Sequence, residues 1–387
     1  MASLGRRSAE AVILIAVLIA LSWGLQRLAG IEGATHKDET SASHTSLAVP
    51  DPPTGKPIQS DMPPPNNGPA ECVESKKEEL SDEERMDQFE RLKEDTFRVL
   101  SGSTDAEHLF VAAAVTPRDE AAAGWQLLSQ ASAADPGHPL ITSLMLEHCV
   151  RRNDKCDTST KNLEDRLIGA AANNGMAWIK VAVSRIQRGE DAAALMALRE
   201  AIAAPVYQNY FVELLQIFDR GLASVSDISS GKRLEFATGM AASVGTLEPR
   251  IFALCQDRAE RRGEWPELCV ALARRMGTHG REFILQMGGL ELEKAIHESL
   301  GDKEEQLRVD GLISALRTRF EDLVEVHQSL DFERDEALLR RYVDVFASSG
   351  EILAMEFVAR EAEALRESQA VEISAACEAL ALSRDLE

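Results

Sequence analysis

The longest uninterrupted apolar run lies near the N-terminus, where Ala11–Leu25 carries no charge and Arg6 and Arg7 precede it. Large apolar residues are then scarce from about Ile31 to Lys77. From about Leu80 they return every third or fourth position, which is the helical period. Met86, Phe89, Leu92, Phe97 and Leu100 make the first such set, behind a capping-box pattern at Ser81-Asp82-Glu83-Glu84. Thr104-Asp105-Ala106-Glu107 opens the next helix in the same way, and Pro117 closes it. A third helix is predicted over Arg118–Ala134 and a fourth over Leu140–Arg151, separated by the turn-forming run Asp135-Pro136-Gly137-His138-Pro139.

The alternation of helix and break continues to the C-terminus. Helices are predicted over Leu163–Asn173, Met176–Arg188, Asp191–Ala203 and Tyr207–Ala223, with Gly189 and Pro205 as breaks. Ser229–Val244, Glu248–Arg261, Trp265–Met276 and Arg281–Leu300 follow, the last with Gly288-Gly289 inside it. Leu312, Leu316, Phe320, Leu323, His327 and Leu330 step along one face, as do Leu338, Tyr342, Val345 and Phe346, then Ile352, Met355, Val358 and Leu365. No run alternates with period two and no hairpin signature is present. The expected class is therefore all-α, an antiparallel array of helical hairpins.

Three regions follow from this pattern. Residues 1–30 hold a transmembrane signal anchor or a signal peptide, 31–78 a disordered Pro-rich linker, and 79–387 an all-helical repeat-like domain. The apolar run is slightly short of the ~20 residues that span a bilayer. Glu10 and Arg27 can snorkel at its two ends, and Trp23 suits an interface. Positive charge ahead of it predicts a cytoplasmic N-terminus and an exported remainder. The alternative is cleavage near Ser22, where Ala20-Leu21-Ser22 offers small residues to a peptidase. The expected address is a bacterial inner membrane, single-pass through residues 11–25 with the bulk periplasmic, or a secreted or periplasmic protein after cleavage. The linker's Val49-Pro50-Asp51-Pro52-Pro53 and Met62-Pro63-Pro64-Pro65 segments favour extended chain.

Composition agrees with helix: aromatics are only 5%, so few residues favour strand over helix. The formal charge of −22 repels phosphate backbones, which excludes nucleic acid as an expected partner.

One stretch carries a family resemblance. Trp178 and Ala182 in one helix, then Ala194, Leu198 and Ala201 in the next, and Pro205 at the end, resemble one tetratricopeptide repeat. Arg185 stands where that repeat usually has Tyr, and Leu198 where it has an aromatic. Gly124, Leu128, Ala131 and Asp135-Pro136 are similar to the closing half of a preceding repeat. The likeness covers Glu120–Pro205, under a third of the chain. It implies a tetratricopeptide-like solenoid that binds proteins and does not catalyse. Trp125, Trp178, Tyr207, Tyr210 and Phe211 are candidates to line its groove, with core packing as the competing reading.

There are six cysteines, Cys72, Cys149, Cys156, Cys255, Cys269 and Cys377, and an exported chain would oxidise them in pairs. If Gly263 turns a helical hairpin, Cys255 and Cys269 lie about 12 and 9 Å from the turn, nearly level. Cys149 and Cys156 flank the polar run Arg151–Lys155 and would close a short loop. Cys72 and Cys377 are left open: they pair with each other, link two chains or remain free.

No catalytic motif is evident. A phosphate-cradling loop and a nucleophile elbow are both missing. His148, Cys149 and Cys156 lack a fourth metal ligand. His297-Glu298 lacks the second histidine of a zinc-protease helix and reads as a solvated helix-end pair. Ser229-Ser230-Gly231-Lys232 reads as a helix start, and acidic pairs such as Glu304-Glu305 as solvated faces. No metal or cofactor is expected. The expected function is a membrane-tethered extracytoplasmic scaffold for unidentified protein partners. The alternatives are an all-helical envelope enzyme without a recognisable motif and an assembly subunit acting through oligomerisation.

Overall fold

The computed structural model describes residues 82–117, 120–152, 160–244, 249–259, 263–328, 336–361 and 363–364. The membrane segment, the Pro-rich linker, Cys72, Cys156 and Cys377 lie outside the described residues. No described helix is long and apolar enough to cross a membrane.

The described residues are helical, with no strand among them. The helices are α1 (Asp82–Leu100), α2 (Ala106–Ala114), α3 (Ala121–Ala134), α4 (Pro139–Arg152), α5 (Thr160–Ala171), α6 (Gly175–Gln187) and α7 (Asp191–Ala203). Then come α8 (Phe211–Ala223), α9 (Ser230–Val244), α10 (Pro249–Ala259), α11 (Trp265–His279), α12 (Phe283–Leu300), α13 (Lys303–Gln328), α14 (Glu336–Ser349) and α15 (351–361). Most neighbours in sequence pack as hairpins: α2 on α3, α4 on α5, α6 on α7, α8 on α9, α11 on α12 and α12 on α13.

Local chemistry explains most boundaries. Asp105, one residue after the expected Thr104, caps α2 by accepting the His108 N–H at 2.9 Å. Glu107 is thereby free to grip Arg220 of α8 through both oxygens, at 2.8–3.0 Å. Asn174 caps α6 by accepting the Met176 N–H at 3.0 Å.

Two main cores result. One is built on α4–α7 with α10–α12 and includes Leu167, Met176, Ile179, Leu198, Leu272 and Ile296. The other joins α1–α4 with α8 and α9 around Phe110, Leu140, Leu214 and Phe218. In the α6–α7 pair, Ala182, Ala194, Ala197 and Ala201 have no exposed surface, so the two backbones approach over methyl groups. The α11–α12 pair comes closer still. A Cβ on Gly289 would stand 2.3 Å from the Gly277 nitrogen, a distance no side chain tolerates.

One expected boundary is corrected. The helix predicted from Tyr207 begins at Phe211. Residues 204–210 are instead drawn into a stack of loops. Gly175 donates to the Val206 carbonyl at 2.8 Å, Arg281 to the Tyr207 carbonyl at 2.9 Å, and Glu351 to the Arg281 carbonyl at 2.7 Å. A Tyr207 bonded across to another loop cannot also start a helix.

Candidate functional site

The α11–α12 hairpin and the turn after it bound a cleft of 720 Å³. Its apolar lining comes from Ile202, Pro266, Val270, Ala271 and Leu300. Its charged lining carries both signs: Glu267, Arg274, Arg275, Asp302 and Glu305.

At one end of the cleft lies a dense charge network. α12 puts Glu293 and His297 four residues apart, hence on one face. α12 ends at Gly301, and α13 brings Glu305 and Arg308 back beside them. Glu293 is 1% exposed, and its Oε1 accepts from Arg274 Nε at 2.6 Å and Arg308 at 2.5 Å. Glu305 accepts from the same two arginines, at 2.9 Å from Arg274 and 2.8 Å from Arg308. The Arg308 hydrogen bond foremost, with the nearby Arg274 charge, holds the Glu305 carboxyl below its usual range. The Glu293 hydrogen bond holds Arg274 more firmly protonated than usual.

His297 sits inside this network at 6% exposure, and no protein group hydrogen-bonds either ring nitrogen. Its Nε2 is 3.9 Å from Glu293 Oε1 and its Nδ1 is 3.5 Å from Asp302 Oδ2. Glu293, His297 and Glu305 each place one potential ligand atom within 4.8 Å of the others. The expected solvated pair at His297-Glu298 is therefore corrected: the α12–α13 turn folds over the histidine. Glu305 is likewise tied into ion pairs instead of standing free on a solvated face.

A second histidine borders the cleft. Arg275 donates to His279 Nε2 at 2.9 Å, so that nitrogen carries the lone pair and Nδ1 faces Thr278 Oγ1 at 2.6 Å. Burial, aided by the Arg275 charge, lowers the His279 pKa below its usual value. This histidine is a neutral acceptor. Arg275 also donates to the Ala204 carbonyl at 2.8 Å, tying α11 to the end of α7.

The residues singled out in the sequence fall elsewhere. Cys255 and Cys269 are bonded to each other, with Cα atoms 5.6 Å apart and both side chains fully buried. Gly263, which precedes α11, has φ +117. Cys149 is also disulfide-bonded. His148, beside it, lies flat under Trp125 with ring centroids 4.2 Å apart.

None of the five aromatics lines the cleft. Tyr207 and Tyr210 are 0% and 4% exposed and belong to the two cores. The Tyr207 hydroxyl donates to the Ala201 carbonyl. Trp125 and Trp178 are half-buried against the first core, Trp178 donating to the Ala172 carbonyl at 2.9 Å. Phe211 packs on the second core, 6.0 Å from the Phe346 ring. Aromatics at helical spacing were drawn to apolar surface within the fold.

No protein-family model, curated protein or solved structure matches the chain.

The signal that could have located the network was the Glu293/His297 spacing, read together with Glu305 across a short turn. Arg274 and Arg308 could not be joined to it from sequence, because the helix pairing that brings them in is a tertiary fact.

Proposed function

We propose that the chain is a membrane-tethered extracytoplasmic scaffold, a tetratricopeptide-like array of helical hairpins that binds other proteins without catalysing a reaction. The observation that carries the compartment is the fully buried Cys255–Cys269 disulfide, joined by a disulfide at Cys149. Reducing cytosol does not sustain such bonds in ordinary proteins. An N-terminal stem through residues 11–25 would hold the domain at the membrane, and the Pro-rich linker would space it away.

The repeat-like reading draws support from α6 and α7, where the small residues of the resemblance are the buried contacts. The binding reading draws support from the cleft. A lining of apolar residues and charges of both signs suits a peptide segment of mixed composition, with burial supplying affinity and the charges setting register. Leu300 at its edge and Leu307 on α13 are 50% and 71% exposed, large apolar surface suited to a partner.

A photo-crosslinkable residue at Leu300 or Leu307, in the full chain in its native cell, tests this reading. A crosslink to one partner from these two positions is expected, with none from Met196 on α7, which is 61% exposed. Thiol counting before and after reduction tests the compartment. Crosslinks equal at all three positions would remove the binding site, and a cytosolic chain with every thiol free would remove the address.

A further inference from the structure

We propose that Glu293, His297 and Glu305 form a binding site for a zinc-class divalent ion, with Asp302 as the carboxylate behind the histidine. This inference does not depend on the scaffold reading.

The argument begins with His297. A buried polar group without a hydrogen bond is destabilising, and His297 has two such nitrogens at 6% exposure. It lines the cleft, so a small ligand can reach it. A metal at Nε2 satisfies one nitrogen. The other then carries the proton and faces Asp302 Oδ2, now 3.5 Å away. That is the carboxylate–histidine–metal arrangement, in which the outer carboxylate fixes the tautomer and orients the ring.

The remaining ligands are already close. Glu293 Oε1 is 3.9 Å from Nε2, and the three ligand atoms lie within 4.8 Å of one another. Bonds of about 2.0–2.2 Å to the ion place its neighbouring ligands roughly 3–4 Å apart. Small side-chain rotations close that difference. One nitrogen and two carboxylate oxygens suit a zinc-class ion better than calcium, which takes 6–8 oxygens. The cleft leaves room for water as a fourth ligand.

Arg274 and Arg308 are the competitors. Their guanidiniums hold both carboxylates where the ion would stand, at 2.5–2.9 Å. Both side chains are nearly half exposed, at 48% and 43%, and can turn into water as the ion enters. Their two charges balance Glu293 and Glu305 without metal, so binding is an exchange of cations. Removing an arginine therefore strengthens metal binding, whereas removing a ligand weakens it.

Isothermal titration of the tag-free full chain with zinc chloride, and separately with cobalt chloride, tests the site. One ion per chain is expected. His297→Gln and Glu293→Gln should each weaken binding by at least about tenfold, and Asp302→Asn by about 10–100-fold. Arg308→Gln should tighten it. Should the variants at buried Glu293 or His297 fail to fold, Glu305→Gln and Asp302→Asn, on part-exposed residues, carry the same test. Absence of stoichiometric binding, affinity unchanged in the ligand variants, or weaker binding in Arg308→Gln overturns the proposal. None of these outcomes bears on the crosslinks from Leu300, so the two readings fail separately.

Discussion

Glu282 accepts the backbone N–H of Asn209 through its Oε1 at 2.8 Å, although the two residues lie 73 positions apart in sequence. The bond fastens the α11–α12 junction to the chain entering α8. Next to it, Glu351 Oε2 accepts the Phe283 N–H at 2.7 Å, which fastens the start of α15 to the start of α12. Glu282 is deeply buried and Glu351 is part-buried. Desolvation pushes the Glu282 pKa up to about 8, with the Glu351 charge adding to the rise, and pushes Glu351 up to about 7. Burial raises Glu213 as well, against the partial pull of Arg281.

These shifts predict a pH dependence of stability. The native carboxyls keep protons that the unfolded chain loses at an ordinary value near 4.5. Between about pH 4.5 and 8 the native state therefore binds more protons, and stability falls as pH rises. The urea midpoint should be lower at about pH 9 than at about pH 5. Glu282→Gln keeps the acceptor oxygen and removes the charge, so it should flatten the slope and stabilise at the alkaline end. A slope identical to the unmodified chain's would show that Glu282 does not titrate in this window. Glu190 and Glu305, whose values are lowered by Arg188 and Arg308 respectively, act below it.

The Cys255–Cys269 bond closes a separation of 14 residues inside the first core. By chain entropy a loop of that size contributes about 3 kcal/mol. The double substitution Cys255→Ala/Cys269→Ala should lower unfolding free energy by about 2–5 kcal/mol in denaturant titrations, and adding reductant to the variant should then report on the remaining bridges, that at Cys149 among them. A loss under about 1 kcal/mol would mean that the native hairpin needs no crosslink.

Gly289 faces the backbone of Gly277 with no space between. Gly289→Ala should cost about 1–3 kcal/mol or more, because the obstacle is backbone and cannot rotate aside. Gly311→Ala on α13, where a Cβ meets nothing within 4 Å, is the control and should be neutral or stabilising. Thermal unfolding of the two variants separates close approach from helix propensity.

Lys180 Nζ and Glu147 Oε2 pair at 3.0 Å, with side chains only 6% and 9% exposed. Lys180→Met should destabilise by up to about 3–5 kcal/mol, because the Glu147 carboxylate loses a buried counter-charge. Lys180→Met/Glu147→Leu should recover most of that loss. If the double variant is as unstable as the single one, shape and not charge is what the pair contributes.

The sequence by itself determined the helices. Their apolar period, their Gly and Pro breaks and their caps act over a few residues, and the ranges for α3, α6, α7, α9 and α12 stand within a few residues of the structure. The hairpin register that levels Cys255 with Cys269 was legible for the same reason: it needs only the rise per residue and one turn at Gly263. Everything that depends on which helices meet was decided by the tertiary structure. It buried Tyr207 and Tyr210, moved the start of α8 to Phe211, and closed the α12–α13 turn over His297. It also brought Arg274 and Arg308 onto Glu293. A polar residue's environment is set by neighbours distant along the chain, and hydrophobic periodicity carries no information about which neighbours those are.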